Sequence, residues 1–214
     1  MPNDILSTDT SRKFWKKQNF YPSYSNIIKK RRLYETAFLT EWIWKNNPES
    51  LVDIGCGNGS TLTMLVELTD IIRFYAYDIS LKMLEKIDPR NQRGSVITTQ
   101  LIDLCDNEIP FEDVDLTTML SVNMYLTDAQ IKKQFNNISS KTVILRDPCG
   151  LVHEEINQFS NELGEDYSAV YRTKEEYIKL YEECGYEVTY SKRAFPDEIE
   201  SDFGTHQYFF ICQR

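Results

Sequence analysis

The sequence predicts an α/β chain built on a doubly wound, seven-stranded, mostly parallel sheet. Three observations predict it. Apolar strand-like runs and helical runs alternate after residue 50. One of these runs, Leu51-Val52-Asp53-Ile54, ends in a turn with glycines at alternate positions, Gly55, Gly57 and Gly59. The first 50 residues lack the alternation and are rich in aromatic rings instead, from Phe14 and Trp15 to Trp42 and Trp44.

The elements follow in order. Segment 28–45 reads as one amphipathic helix with Leu33, Ala37, Phe38 and Trp42 near one face, packed on the sheet. Strands are predicted at 51–54, 73–77, 95–101, 115–120 and 142–145, with two more at 187–192 and 207–212. Helices are predicted at 61–68, 81–86, 128–136 and 174–184. The last of these opens with a capping box, Thr173 to Glu176, and stops at Gly185. The final two strands are joined by a loop with Pro196 and Gly204 and no clear helix, which predicts a terminal antiparallel hairpin. Segment 151–163 has two readings: part of a polar wall beside the sheet's carboxyl edge, or a helix with a solvated acidic face carrying Glu154 and Glu155.

Composition narrows the function. A chain of 214 residues with 41% hydrophobic and 27% charged residues is globular, and suits one domain with a full core. A formal net charge of −9 disfavours nucleic acid, whose affinity rests on neutralising phosphates. The basic cluster Lys29-Lys30-Arg31-Arg32 reads as a solvated helix face before it reads as a phosphate patch. No apolar run is long enough for a membrane span, and the N-terminus lacks a signal-peptide pattern. The five cysteines are scattered and unpaired in sequence, so reduced thiols and a cytoplasmic setting are expected.

The glycine turn carries the chemistry. With no Cβ at Gly55, Gly57 and Gly59, a ligand can lie against the backbone, and the helix that follows points its first N–H groups back at the turn. A dinucleotide fingerprint would read G-x-G-x-x-G, and here the third glycine comes one place early. The second strand, Phe74-Tyr75-Ala76-Tyr77-Asp78, ends in an acid about twenty positions further on, where a carboxylate can accept both ribose hydroxyls of an adenosine.

The pattern Val52-Asp53-Ile54-Gly55-Cys56-Gly57-Asn58-Gly59 resembles motif I of the class I S-adenosylmethionine-dependent methyltransferases, over roughly residues 48–212. The resemblance implies a seven-stranded Rossmann-like sheet with an antiparallel last strand and an N-terminal helical cap. It implies S-adenosylmethionine as cofactor and S-adenosylhomocysteine as product. Asp53 is placed near the methionine end, and Cys56 and Ile79 join the glycines and Asp78 at the cofactor. Asp103 would take the adenine amino group, with the Leu104 N–H on a ring nitrogen. Ser121 and Val122, just past the fourth strand, would contact the cofactor, and Asn123 and Tyr125 would reach the substrate.

The stretch Ser121-Val122-Asn123-Met124 is not N-P-P-Y or D-P-P-Y, and Cys149 stands in an isolated Pro-Cys-Gly, so DNA base methylation is disfavoured. Candidate bases are His153, His206 and Tyr125, against the reading that the histidines are exposed or structural. No metal site can be assembled. Arg146, Tyr171 and Arg172 in the insert 146–172, with Tyr21 in the aromatic segment, are candidates for the substrate wall. Residues 1–47 are expected to form a helical cap whose segment 14–24 closes as a lid, and 48–214 the cofactor-binding domain. The acceptor expected is a small polar molecule methylated on oxygen or nitrogen, with a homodimer allowed. A non-catalytic module of the same fold and an RNA or protein methyltransferase are the alternatives.

Overall fold

A computed structural model describes residues 8–18, 26–89, 94–110, 113–160, 165–200 and 204–214. Two N-terminal helices, α1 (Thr8–Lys17) and α2 (Asn26–Asn46), lead into strand β1 (Ser50–Ile54). There follow α3 (Ser60–Leu68), β2 (Arg73–Asp78), α4 (Leu81–Leu84), β3 (Val96–Leu101) and β4 (Leu116–Leu120). The chain continues through α5 (Asp128–Phe135), β5 (Thr142–Gly150), β6 (Glu154–Ser160), β7 (Glu165–Tyr171), α6 (Lys174–Glu183), β8 (Glu187–Arg193) and β9 (Thr205–Gln213).

Seven strands form one sheet in the order β3-β2-β1-β4-β5-β9-β8. The pairs from β3 to β5 are parallel, and β9 runs antiparallel to both of its neighbours. This is the doubly wound sheet with an antiparallel last strand that the sequence predicts. The order reverses between β1 and β4, so the carboxyl ends of these strands open a crevice at the switch point.

The central strands β1, β4 and β5 are buried on both faces, whereas the edge strand β3 is mostly exposed and β8 has no buried residue. Consecutive residues of β9 point to opposite layers, as the two-residue strand period demands: Phe210 packs with Phe135, Tyr177 and Tyr181, and Phe209 with Leu39, Ile43 and Leu65. Helices α5 and α6 each start on a complete capping box, Thr127 with Gln130 and Thr173 with Glu176.

Three elements depart from the sequence reading. The inward stripe of α2 is Glu35, Thr36, Leu39, Thr40 and Ile43, whereas Leu33 is 58% exposed and Ala37 exposed. Phe38 and Trp42 do pack on the sheet, Phe38 stacking on Phe209 with 4.0 Å between centroids, but they flank the stripe. Polar residues inside the stripe hid its period. The described residues of segment 151–163 are not helical: β6 and β7 form a separate two-stranded antiparallel sheet. Strand β5 extends past 145 to Gly150 and through Pro148, because β4 pairs with it only up to Arg146 and asks no N–H of position 148.

Candidate active site

The turn after β1 has all three glycines in the left-handed region, with φ of 76° at Gly55, 58° at Gly57 and 71° at Gly59. Two backbone bonds pin it to the neighbouring strand: Gly55 N and Cys56 N both donate to Tyr77 O, at 2.7 and 3.1 Å. A Cβ on Gly55 would stand 2.3 Å from Val122 Cγ2, so the turn lies flush against the end of β4. Ser121, at that end, is itself left-handed with φ 62°, and its N–H is held by Arg146 O. A non-glycine residue in this conformation stores strain of order 1 kcal/mol or more, which the surrounding hydrogen bonds hold in place.

Asp78 sits at the tip of β2, buried, with Oδ2 accepting Gly57 N at 2.8 Å and Oδ1 accepting Ser80 N at 2.8 Å. Burial pushes its carboxyl up, and the backbone donors oppose that. A carboxylate has about four acceptor positions, so some acceptor capacity is left for a ligand hydroxyl.

Around the turn lies a cavity of about 270 Å³. Gly55, Gly57, Asp78 and Ile79 line one end of it, Ile102, Asp103 and Leu104 a second side, and Ser121, Val122 and Tyr125 a third. Asp53, Cys56 and Gly59, expected at the ligand, shape the turn from outside this lining. Gly59 caps α3 and its missing Cβ would press on Ile87 at 2.7 Å. The Cys56 thiol turns to Gly57 O.

Helix α1 covers the cavity with Ser11, Arg12 and Trp15, and Gln18 follows directly after it. Phe14 is buried, Trp15 meets Tyr125 edge-on, Ser11 Oγ donates to Ser168 O on β7, and Ser80 Oγ donates to Gln18 O at 2.6 Å. The guanidinium of Arg12 faces Asp9, Asp103 and Asp106, and Lys16 Nζ reaches Asp103 Oδ2 at 2.8 Å. Burial works to raise the Asp103 carboxyl, but the hydrogen bonds from Lys16, Arg12 and the Cys105 N–H outweigh it and hold it low. Asp103 therefore meets the cavity already bound to α1, a pairing that its local sequence does not announce. Of the expected lid segment, Phe20, Tyr21 and Tyr24 lie outside the described residues.

Asp53 is buried beneath the turn and accepts Thr118 Oγ1 at 2.7 Å. Desolvation pushes its carboxyl up to about 7 against the Thr118 bond, helped by the nearby charges of Glu35 and Asp78. A carboxyl with a folded pKa above the unfolded value near 3.9 takes up a proton on folding between those two values. It therefore lowers stability progressively as pH rises from about 4 to about 7, and uniformly above that. Asp53→Asn keeps the acceptor for Thr118 and removes the penalty. Its melting temperature relative to the parent should climb through that window and level off near pH 8. Parallel profiles would show that Asp53 titrates normally.

These residues suit an adenosine-bearing ligand. Asp78 offers acceptors for ribose, Ile79, Ile102 and Leu104 an apolar slot for a flat base, and the glycine turn a bare backbone. A methyltransferase-domain family model matches residues 51–142, from β1 to the start of β5. Over those residues the chain carries a methyltransferase domain, with S-adenosylmethionine as its cofactor.

Solved methyltransferases share the fold. An S-adenosylmethionine-dependent methyltransferase of the DUF858 family from Leishmania major is 15% identical, with a TM-score of 0.69 over 95% of this chain and 82% of that one. The methyltransferase domain of bacterial CtHen1 is 20% identical, with a TM-score of 0.63 over 86% of this chain and 100% of that one. Magnesium protoporphyrin IX methyltransferase from Synechocystis PCC 6803 is 16% identical, with a TM-score of 0.60 over 94% and 90%. No curated protein matches the sequence.

The methyltransferase places its other candidate residues unequally. Tyr125 lines the cavity, and its hydroxyl lies 3.4 Å from that of Tyr167, which lies 3.5 Å from that of Tyr171. Burial pushes the Tyr167 and Tyr171 phenols up, so they stay neutral. Tyr171 supports this group from behind and is not in the lining. His153 is exposed beside Glu176 and Glu155, and His206 pairs with Glu200 and Arg193; both stand outside the cavity.

Asn123 is buried and spends its amide on Asp147 and Tyr181, both at 3.2 Å. Arg172 is 3% exposed and holds Asn123 O, Leu126 O and Asp128. These two brace the turn after β4 rather than face a substrate. Arg146 does line the cavity. Among the described residues no cluster of three or more metal-binding side chains converges, and no helix is long and apolar enough to cross a membrane.

Proposed function

We propose that this methyltransferase moves the methyl group of S-adenosylmethionine to an oxygen or nitrogen of a small polar molecule. The observation that supports this most is the roofed cavity: α1, fastened to β7 through Ser11, covers it with Arg12 and Trp15, which suits a small acceptor better than a polymer. The net charge of −9 adds to this, since it repels a polyanionic strand.

The cofactor supplies an activated methyl on a sulfonium when bound. The protein's share is alignment and exclusion of water. Gly55, Gly57, Asp78, Ile79, Leu104 and Val122 would hold the nucleoside end; Asp53 would position the turn from below. Tyr125 would orient the acceptor through its hydroxyl, and its Tyr167 neighbour fixes that hydroxyl's direction. With both histidines outside the cavity, the acceptor would be a group that reacts without a strong base, such as an amine or a carboxylate. Helix α1 would act as the lid, its Arg12 and Lys16 latched on Asp103.

Labelled methyl transfer to fractionated metabolite pools tests this directly. Transfer should appear in a small-molecule fraction and fall at least tenfold in Tyr125→Ala. A truncation starting at residue 19 should lose turnover by a larger factor than it loses S-adenosylhomocysteine affinity. Transfer only to RNA or protein fractions would overturn the small-acceptor reading. A truncation that weakens turnover and affinity equally would overturn the lid.

A further inference from the structure

Three arginines near the site have hindered side chains and differ in how their nitrogens are used; Arg12 and Arg146 line the cavity and Arg172 does not. Arg12 directs all three nitrogens at carboxylates, those of Asp9, Asp103 and Asp106. Arg172, nearly fully buried, directs Nε at Asp128 and its two amino groups at Asn123 O and Leu126 O. Arg146 donates from Nε to Glu35 Oε2 at 2.7 Å and from Nη1 to Gln207 Oε1 at 2.7 Å. Its Nη2 has no hydrogen-bond partner among the described residues, while the side chain is 16% exposed and lines the cavity.

The hold on Arg146 comes from three separate parts of the fold. Glu35 reaches in from α2 and is itself fixed by Thr61 Oγ1 at 2.8 Å; Gln207 comes from β9; and the ring of Phe195 lies 5.5 Å below the guanidinium carbon. A buried glutamate that orients an arginine leaves a planar fork in a fixed pose, so little side-chain entropy is lost when a ligand meets the open edge. Asp78 and Asp103 stand at the β2 and β3 end, whereas Arg146 stands on β5, beside the end of β4.

We infer that Arg146 is the anion anchor of the cavity, its free Nη2 edge taking a carboxylate carried either by the amino-acid end of the cofactor or by the acceptor. A guanidinium meets a carboxylate with short, charge-assisted bonds, and the neutralising Glu35 keeps the arginine from being an unpaired buried charge when the ligand is absent. The inference rests on the cofactor reading above.

The test is calorimetry on the full chain with S-adenosylhomocysteine and with 5′-methylthioadenosine, which keeps the nucleoside thioether and lacks the amino acid. Two variants are compared with the parent, Arg146→Lys and the double change Glu35→Gln with Arg146→Gln, which removes both members of the ion pair. Circular dichroism confirms that each is folded. A cofactor carboxylate on Arg146 predicts at least a tenfold loss of S-adenosylhomocysteine affinity in the double variant, a smaller loss in the lysine variant, and unchanged methylthioadenosine affinity.

An acceptor carboxylate predicts unchanged affinity for both adenosine ligands. Benzoate would then bind the S-adenosylhomocysteine-loaded parent and not the loaded double variant. Equal losses for both adenosine ligands, or no change in any of the three titrations, overturns the anchor. A parent that binds neither adenosine ligand overturns the cofactor reading itself, and the anchor with it.

Discussion

Gly57→Val is expected to abolish measurable S-adenosylmethionine binding while the sheet stays folded. Gly57 has φ 58° and lines the cavity, and its N–H is bound to Asp78. A β-branched residue in the left-handed region costs roughly 1–2 kcal/mol and loses χ1 freedom as well. Its two methyl groups would also occupy the space where a ligand lies against the backbone. The turn sits between β1 and α3, whose buried faces do not depend on it, so the damage stays local. Calorimetry should show affinity for S-adenosylhomocysteine reduced by at least about a hundredfold, roughly 2.7 kcal/mol. Circular dichroism should be unchanged and the melting temperature a few degrees lower. Binding at the parental level would remove the glycine turn from the site.

Asp78→Ala should reduce affinity for S-adenosylhomocysteine by at least tenfold. A hydrogen bond to a charged acceptor contributes roughly 1.5–3 kcal/mol, and this carboxylate also satisfies the N–H groups of Gly57 and Ser80. Loss of the side chain therefore acts twice, on the ligand and on the turn. A 2′,3′-dideoxy form of S-adenosylhomocysteine separates the two effects. It depends on the turn and not on the ribose contact, so the parent should bind it weakly, and the variant should bind both ligands about alike. A variant that still prefers the hydroxylated ligand as strongly as the parent does would show that another group reads the ribose.

The elements most visible in the sequence are those fixed by near neighbours. The left-handed glycines announce themselves because other residues are strained there. The box at Thr173 closes within three residues of chain. Strands β1 and β5 read as apolar runs because both faces of the sheet are covered there. The β6–β7 sheet was harder to see, since its first strand is largely exposed and offers no apolar period to read. The stripe of α2 was displaced by one position because Glu35 and two threonines point inward, Glu35 to serve Arg146 and Thr61.

The sequence by itself determined the class of fold, the glycine turn, and the acid at the tip of β2, because each is a local pattern with a local physical cause. Tertiary structure decided the rest of the site. Arg12 meets Asp103 across 91 positions, and Arg146 meets Glu35 across 111. It also took Asn123 and Arg172 out of the substrate's reach by burying them in a brace, and set both histidines outside the cavity. Charge pairing and burial act through space. Which carboxylate finds which cation is settled only when strands distant in sequence are set side by side and their surroundings exclude water.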